Sequence, residues 1–102
     1  MFKLDFSSQA VKDKEIRWYS RESAPSIITA NGEVLWDTSF TFASRTLPFG
    51  TRIRVEYNGR RACFRCNDRG PNLVELTIGG FAFFEDPAVG VLRNAKITIL
   101  ND

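Results

Sequence analysis

The chain has 102 residues, which is enough for one compact domain and too few for two. Its 43% hydrophobic and 25% charged residues are ordinary for a globular protein, and its net charge of +2 is too small to indicate nucleic-acid binding by itself. No apolar run approaches the length of about 20 residues that spans a membrane.

The N-terminal segment lacks the pattern of a secretory signal, because Asp5 interrupts it early and no long apolar core follows. We therefore expect synthesis in the cytoplasm and delivery by a route without a cleavable signal, for example as a virion component, unless the sequence is trimmed. Residues 1–14 are predicted to be an arm or a first edge strand, and residues 15–102 are predicted to form the domain itself.

The first half of the chain predicts short strands separated by turns. The aromatic stretch 16–19 favours a strand, and stretches 27–29 and 34–36 favour two more around the turn signal at Asn31-Gly32. Residues 37–39 are of the types that cap helices, so they predict a single helical turn through residue 43.

The second half carries the clearest strands. Residues 51–57 alternate, with Ile53 and Val55 on one face, and Asn58-Gly59 predicts a hairpin into a partner strand over residues 61–66. The remaining predicted elements are a short helix over residues 78–84, capped by Thr77, and a closing strand over residues 95–100. Short strands with frequent turn signals indicate a small β-barrel or sandwich.

Cys63 and Cys66 form a Cys-Phe-Arg-Cys motif. A zinc site would need further ligands, and this chain has no His. Residues three apart on a strand point to opposite faces, which disfavours a disulfide. We interpret both cysteines as small apolar residues of a strand, and we predict neither a metal nor another cofactor.

Several segments, in this order, resemble the RlpA-like (rare lipoprotein A) family of double-psi β-barrels, which is related to barwin and the expansin N-terminal domain. The most specific pair is Leu47-Pro-Phe-Gly-Thr51 followed about twenty residues later by Asn67-Asp-Arg-Gly-Pro71. The other matching pieces are Trp18-Tyr19, residues 29–33, residues 43–46, residues 52–55, Asn58-Gly59, residues 65–66, residues 74–77, and Gly90-Val91 with the closing strand.

The resemblance implies a mainly β protein: a six-stranded double-psi β-barrel with one or two short helices and a groove over one side. RlpA-like proteins act on peptidoglycan, and some are lytic transglycosylases, whereas expansin relatives loosen wall polysaccharides without clear hydrolysis. The family's functional carboxylates map onto Asp68 and Glu75, and a third acid maps onto Glu33. Ser44 stands where the family commonly has His, and Glu75 stands where it usually has Asp; both departures argue against full activity.

On this resemblance, Asp68 and Glu75 are the candidate catalytic residues. In a lytic transglycosylase one carboxylic acid protonates the bridging oxygen and then accepts the proton of the sugar's own C6 hydroxyl, while a second group orients it or stabilises positive charge. A structural interpretation stands beside this one. An Asp in a turn before Arg-Gly commonly accepts backbone hydrogen bonds and stabilises its loop.

The candidate substrate-binding residues carry less specific signals. Arginine binds carboxylates in a bidentate way, and aromatic rings stack on sugars, but arginines also cover wet strand faces and aromatics fill small cores. Glu33, beside a turn, is also explained as a solvated residue. The candidates are Glu33, Ser44, Arg65, Arg69, Trp18 and Tyr19.

Two classes of function follow. The first is a peptidoglycan-directed domain that binds glycan strands or cleaves them weakly as a lytic transglycosylase. The alternative is a non-catalytic module of a phage tail or injection machine, which would use the barrel for assembly with itself or with other virion proteins. We expect neither nucleic-acid binding nor membrane insertion, since twelve acids offset the arginines and no binding signature is present.

Overall fold

A computed structural model describes residues 8–100 of the chain, with side-chain environments from Lys14 onward. Within that range six strands close into a barrel in the order β1-β5-β2-β4-β3-β6. The strands are β1 Ser8–Tyr19, β2 Thr41–Ala43, β3 Arg52–Tyr57, β4 Arg60–Asp68, β5 Glu75–Thr77 and β6 Leu92–Leu100; a helix α1, Ile78–Ala82, and a 3₁₀ turn, Pro87–Val89, lie between β5 and β6. The predicted six-stranded, mainly β barrel is confirmed.

Two parallel pairings distinguish this barrel from a simple meander. β1 runs parallel to β5 and β2 runs parallel to β4, whereas the other four pairings are antiparallel. Parallel neighbours cannot be joined by a tight hairpin, so the chain must cross over the barrel between them. The crossing segments, rather than the strands, supply most of the surface around the ends of β2 and β4.

The hairpin between β3 and β4 follows directly from its sequence. Asn58 and Gly59 have φ values of 50° and 83°, the left-handed conformation that a type I′ hairpin turn requires at both positions. Ile53 and Val55 of β3 are fully buried, as their alternation predicted. Arg60 begins β4 opposite Tyr57, so the predicted strand pair is confirmed, with β3 one residue shorter and β4 longer than predicted.

The core fills the barrel interior with aliphatic and aromatic side chains. Phe42, Leu76 and Phe81 are completely buried, and each such side chain stabilises the fold by about 1.5–3 kcal/mol through its removal from water. Thr77 caps α1 as predicted, since its Oγ1 accepts a hydrogen bond from the Gly80 amide. Gly80 is required by close packing: a Cβ there would lie 2.6 Å from the ring of Phe64.

Two local predictions were wrong because tertiary contacts override local preference. Residues 37–43 do not form a helical turn; residues 41–43 are β2, which is buried and pairs with β4 and β5. Stretches 27–29 and 34–36 share only an isolated bridge, Ile28 with Val34. In such short segments, pairing with neighbouring strands determines the secondary structure more strongly than the helix-capping residues 37–39 do.

β1 crosses the boundary predicted after residue 14. The strand starts at Ser8 and pairs with β6 from Ser8 to Ile16, then with β5 from Arg17 to Tyr19. Residues 1–7 of the segment predicted as an arm or edge strand, residues 1–14, lie outside the described residues, as do residues 101–102.

The two cysteines lie on opposite faces of β4, as expected for residues three apart on a strand. Cys63 is exposed, Cys66 is buried, and both are free thiols. In the part of the chain that the structure describes, no helix has the length and apolar character needed to cross a membrane.

Candidate active site at the ends of β2, β4 and β5

Ala43, the last residue of β2, brings the two candidate carboxylates together. It pairs with Asp68, the last residue of β4, on one side and with Glu75, the first residue of β5, on the other. Because β2 is parallel to β4 and antiparallel to β5, both acids fall at the same end of the barrel. A six-residue crossover, residues 69–74, separates them in sequence.

An open pocket of about 320 Å³ lies at this end of the barrel. Asp68 and Glu75 both line it, and so does Tyr19, the last residue of β1. Residues 23–26 and 69–71 form the opposite sides. Of the sequence candidates, four therefore share one pocket: Tyr19, Asp68, Arg69 and Glu75.

Asp68 is held by three hydrogen-bond donors. Its Oδ1 accepts from the backbone amides of Ala30 at 2.9 Å and Arg69 at 2.8 Å, and its Oδ2 accepts from the Tyr19 hydroxyl at 3.0 Å. These bonds fix the carboxylate and join three separate chain segments. Asp68 therefore accepts backbone hydrogen bonds and stabilises its loop, as the structural interpretation predicts. The same side chain also lines the pocket.

Tyr19 stays protonated because of its surroundings. Burial, followed by the negative charge of Asp68 and the hydrogen bond to it, raises the pKa of Tyr19 far above its ordinary value of 10.0, and Glu75 adds to the effect. Its hydroxyl donates to Asp68 Oδ2 at 3.0 Å.

Glu75 is less constrained than Asp68. Among the described residues one side chain donates to it, the amide of Asn72, whose Nδ2 lies 3.0 Å from Oε2. The other oxygen, Oε1, lies against Gly70, where a Cβ would come within 2.9 Å of it. The carboxylate is thus positioned by the Asn72 amide and fits against Gly70 because this residue has no side chain. It is partly buried at the edge of the pocket.

Glu33 and Arg65 form an ion pair outside the pocket. Arg65 donates from both terminal nitrogens to the two oxygens of Glu33, at 2.9 and 3.0 Å, and Asn67 donates to Glu33 Oε1 at 3.0 Å. These contacts lower the pKa of Glu33 below its ordinary value of 4.5, the hydrogen bond from Arg65 being the largest cause. They tie the loop after Ala30 to β4, so the structure gives both residues a part in loop geometry.

Ser44 stabilises a turn next to the pocket. Its side chain is fully buried, and its Oγ accepts from the amides of Thr46 at 3.2 Å and Leu47 at 3.0 Å. Its amide donates to the carbonyl of Asp68, so Ser44 adjoins the site through its backbone, and its side chain does not line the pocket.

Arg69 is fixed beside the pocket by neutral partners. Its Nη1 donates to the carbonyls of Ser44 at 3.1 Å and Leu47 at 2.7 Å, and its guanidinium lies 4.1 Å from the centre of the Phe49 ring. These described contacts involve two carbonyls and one aromatic ring, and Arg69 also lines the pocket.

Trp18 does not reach the pocket. It lies on the other side of β1 from Tyr19, packs against the core, and donates from Nε1 to the carbonyl of Pro87 at 2.9 Å. The structure therefore separates the Trp18-Tyr19 pair, placing Tyr19 at the site and Trp18 in the packing of the 3₁₀ turn.

Several residues of the site carried no usable sequence signal. Asn72 reaches Glu75 through a turn, Ala30 contributes only its amide, and the wall formed by residues 23–26 comes from a loop. Gly70 was visible only as a turn glycine. Among the described residues, no group of three or more His, Cys, Asp or Glu side chains is placed to hold a metal ion.

Comparison with known proteins gives matches to part of the chain. No family model matches. Over 57 residues, half of this chain, it is 46% identical to proteins named "Probable endolytic peptidoglycan transglycosylase RlpA" from Synechocystis sp. and from Nostoc sp., and over 55 residues it is 44% identical to the protein of that name from Treponema pallidum. The match covers 18%, 15% and 17% of these relatives, less than a fifth of each.

A structural match covers nearly the whole chain. The solved structure of Streptomyces papain inhibitor (SPI) superposes with a TM-score of 0.73 at 19% identity, over 91% of this chain and 96% of that one. Its low identity shows the fold alone, which is a double-psi β-barrel. The predicted resemblance is thus confirmed: half of the chain is similar to proteins named RlpA, and the chain has a double-psi β-barrel fold.

Proposed function

We propose that this domain binds peptidoglycan glycan strands in the pocket at the ends of β2, β4 and β5 and cleaves them as a lytic transglycosylase. The observation that carries the proposal is the pairing of Ala43 with both Asp68 and Glu75, which sets two carboxylates in one open pocket. The names of the partial matches supply the substrate class, since each of those relatives is called a probable endolytic peptidoglycan transglycosylase.

The contacts favour different roles for the two acids. Glu75 has one side-chain donor and an oxygen turned to Gly70, so it is free to exchange a proton with a ligand. Asp68 is committed to two amides and the Tyr19 hydroxyl, which suits a fixed negative charge. We therefore assign the acid/base role to Glu75 and the stabilisation of developing positive charge on the sugar to Asp68.

The reaction then needs no water. Glu75, protonated, gives its proton to the bridging oxygen as the bond from that oxygen to the sugar C1 breaks, and the departing strand leaves with a new hydroxyl. The C6 hydroxyl oxygen of the same sugar bonds to C1, and its proton passes to the Glu75 carboxylate. The product is an anhydro sugar, and Glu75 returns to its starting form.

The test is the formation of that product. Purified peptidoglycan, with and without stem peptides, is incubated with the protein, and anhydromuramoyl ends are sought by mass spectrometry. We expect products from the unmodified protein and none from Glu75→Gln, with Glu22→Gln, an exposed acid outside the pocket, as the matched control.

The opposite outcome is equally clear. A protein that releases no anhydro products and does not co-sediment with sacculi is not wall-directed, and the proposal is then abandoned. The comparisons give no support to a phage-tail or injection-machine module, so we do not propose that alternative.

A further inference from the structure

The loop between β1 and β2 folds back on itself next to the pocket as a short hairpin, whose two arms share the isolated bridge described above. The amide of Leu35 donates to the carbonyl of Ile27 at 2.7 Å, and the amide of Thr29 donates to the carbonyl of Glu33 at 2.7 Å. Between these bonds Ile28 and Val34 face each other as an antiparallel bridge. Residues opposed in this way place their side chains close together on the same side of the ribbon.

That side of the hairpin is exposed and apolar. Ile28, Val34 and Trp36 are 49%, 41% and 55% exposed, whereas Leu35, between the last two, is 1% exposed. The alternation turns Leu35 into the core and sets Val34 and Trp36 on the outer side together. We call these three residues, Ile28, Val34 and Trp36, the Trp36 platform.

The Trp36 platform is continuous with the pocket. Ile28 belongs to both, since it lines the pocket beside residues 23–26 and opposes Val34 across the hairpin. A ligand that leaves the pocket past Ile28 therefore meets Val34 and then Trp36. The apolar surface extends the candidate site rather than forming a separate patch.

The platform is held rigidly in place. The Ala30 amide donates to Asp68 Oδ1 at 2.9 Å, the Asn31 amide donates to the Asn67 carbonyl at 3.2 Å, and the Glu33–Arg65 pair ties the turn to β4. Trp36 is ordered by Arg21, whose guanidinium lies 4.7 Å from the indole centre while its Nη1 donates to the carbonyl of Leu35. A pre-ordered surface avoids the entropy cost of ordering on binding.

We propose that the Trp36 platform binds sugar residues of the same glycan strand beyond the scissile bond, with Trp36 stacking on a sugar ring. This deepens, and rests on, the proposed function. Sugar rings present C–H faces that pack on an indole while their hydroxyl groups stay in water, so a half-exposed Trp beside a polar pocket suits a polysaccharide. Three side chains are too few for a stable protein interface, which needs about 800 Å² from each partner.

The test compares strands of different length. Binding of N-acetylated glycan strands, long enough to reach the platform or short enough to fill only the pocket, is measured by calorimetry for the unmodified protein and for Trp36→Ala. We expect Trp36→Ala to weaken binding of long strands by about tenfold and to leave binding of short ones unchanged. Ile27→Ala is the matched control, because Ile27 is 47% exposed on the same hairpin but pairs with Leu35.

Fluorescence gives an independent reading. The described chain has two indoles, Trp18 and Trp36, so Trp36→Phe leaves Trp18 alone while keeping an aromatic platform. We expect long strands to change the emission of the unmodified protein and not that of Trp36→Phe, which should still bind them.

The outcomes separate the two proposals. If Trp36→Ala binds long strands as tightly as the unmodified protein does, the platform proposal is wrong. It is also wrong if Trp36→Ala weakens the binding of long and short strands equally. Neither result contradicts the proposed function. Absence of binding by the unmodified protein to strands of any length overturns both. Length-dependent binding without anhydro products supports the platform and contradicts only the cleavage assigned to Glu75.

Discussion

Gly70 and Glu75 lie so close that any side chain at position 70 would move the carboxylate. A Cβ there would be 2.9 Å from Glu75 Oε1 and 3.3 Å from the Cβ of Ala43. The glycine of the Asn-Asp-Arg-Gly-Pro motif is thus explained by the acid that lies against it, since the close contact is with the flexible end of the Glu75 side chain.

Gly70→Ala is therefore expected to displace Glu75 and to spare the fold. We expect the yield of anhydro products to fall by about tenfold to a hundredfold, because small misplacement of a reacting group is costly. The thermal midpoint should change little, since a side-chain end can move aside. Asn72→Ala, which removes the amide partner of Glu75 without adding bulk, is the comparison, and wild-type yields from Gly70→Ala would contradict the assignment of Glu75.

Tyr19→Phe tests the hydroxyl that holds Asp68. The variant keeps the ring and loses one hydrogen bond to a carboxylate, so we expect a loss of about 1 kcal/mol in the free energy of unfolding, measured with urea. An unchanged free energy would show that the hydroxyl is satisfied equally well by water.

The same tyrosine predicts alkaline sensitivity. Because the folded-state pKa of Tyr19 is raised above its ordinary value of 10.0, its contribution to stability is complete below that pH and is lost as the pH rises beyond it. Phenolate absorbance below the alkaline unfolding transition should be the same in the unmodified protein and in Tyr19→Phe. A larger signal from the unmodified protein would mean that Tyr19 titrates normally.

Asp68→Asn and Glu75→Gln should differ in stability even where both reduce activity. Asp68 accepts hydrogen bonds from Ala30, Arg69 and Tyr19. In Asp68→Asn, the NH2 group would face one of these donors and leave it without an acceptor. We therefore expect a loss of about 1–3 kcal/mol in the free energy of unfolding. Glu75→Gln should cost well under about 1 kcal/mol, as it has one side-chain partner. Equal urea midpoints would contradict the division of roles.

Glu33→Gln tests the ion pair with Arg65 by its pH dependence. Since the pKa of Glu33 is lowered on folding, its contribution is present above the ordinary value of 4.5 and is lost as the pH falls below it. The pair is 42% and 41% exposed, so the cost near neutral pH should be at most about 1 kcal/mol. The difference in thermal midpoint from the unmodified protein should shrink below pH 4.5, whereas a difference constant with pH would exclude the charge as its cause.

Local sequence signals predicted the elements that local physics determines. Asn58-Gly59 favours a left-handed hairpin turn, and alternation at Ile53 and Val55 identifies an inward face, so β3 and its hairpin were predicted well. Residues 41–43 are different: nothing within β2 specifies a strand, because it exists through its pairing with β4 and β5.

The site follows the same division. The resemblance supplied Asp68 and Glu75, but the donors that distinguish their roles come from distant segments, the Ala30 amide and the Asn72 side chain. Every residue except proline has a backbone amide, so the sequence does not indicate which amide donates to Asp68. Tyr19 was selected for its ring, and its hydroxyl became important only once the fold had brought it to Asp68.

The pairing of β1 with β6 affects how the chain folds. β6 is the last strand among the described residues, and it pairs with β1 on one side and β3 on the other. During synthesis, one edge of β1 and one edge of β3 therefore stay unpaired until β6 has left the ribosome. Such long-range closure slows folding and makes the nascent chain vulnerable to aggregation, so variants that weaken β6 should lower the yield of recovered protein before they affect the site.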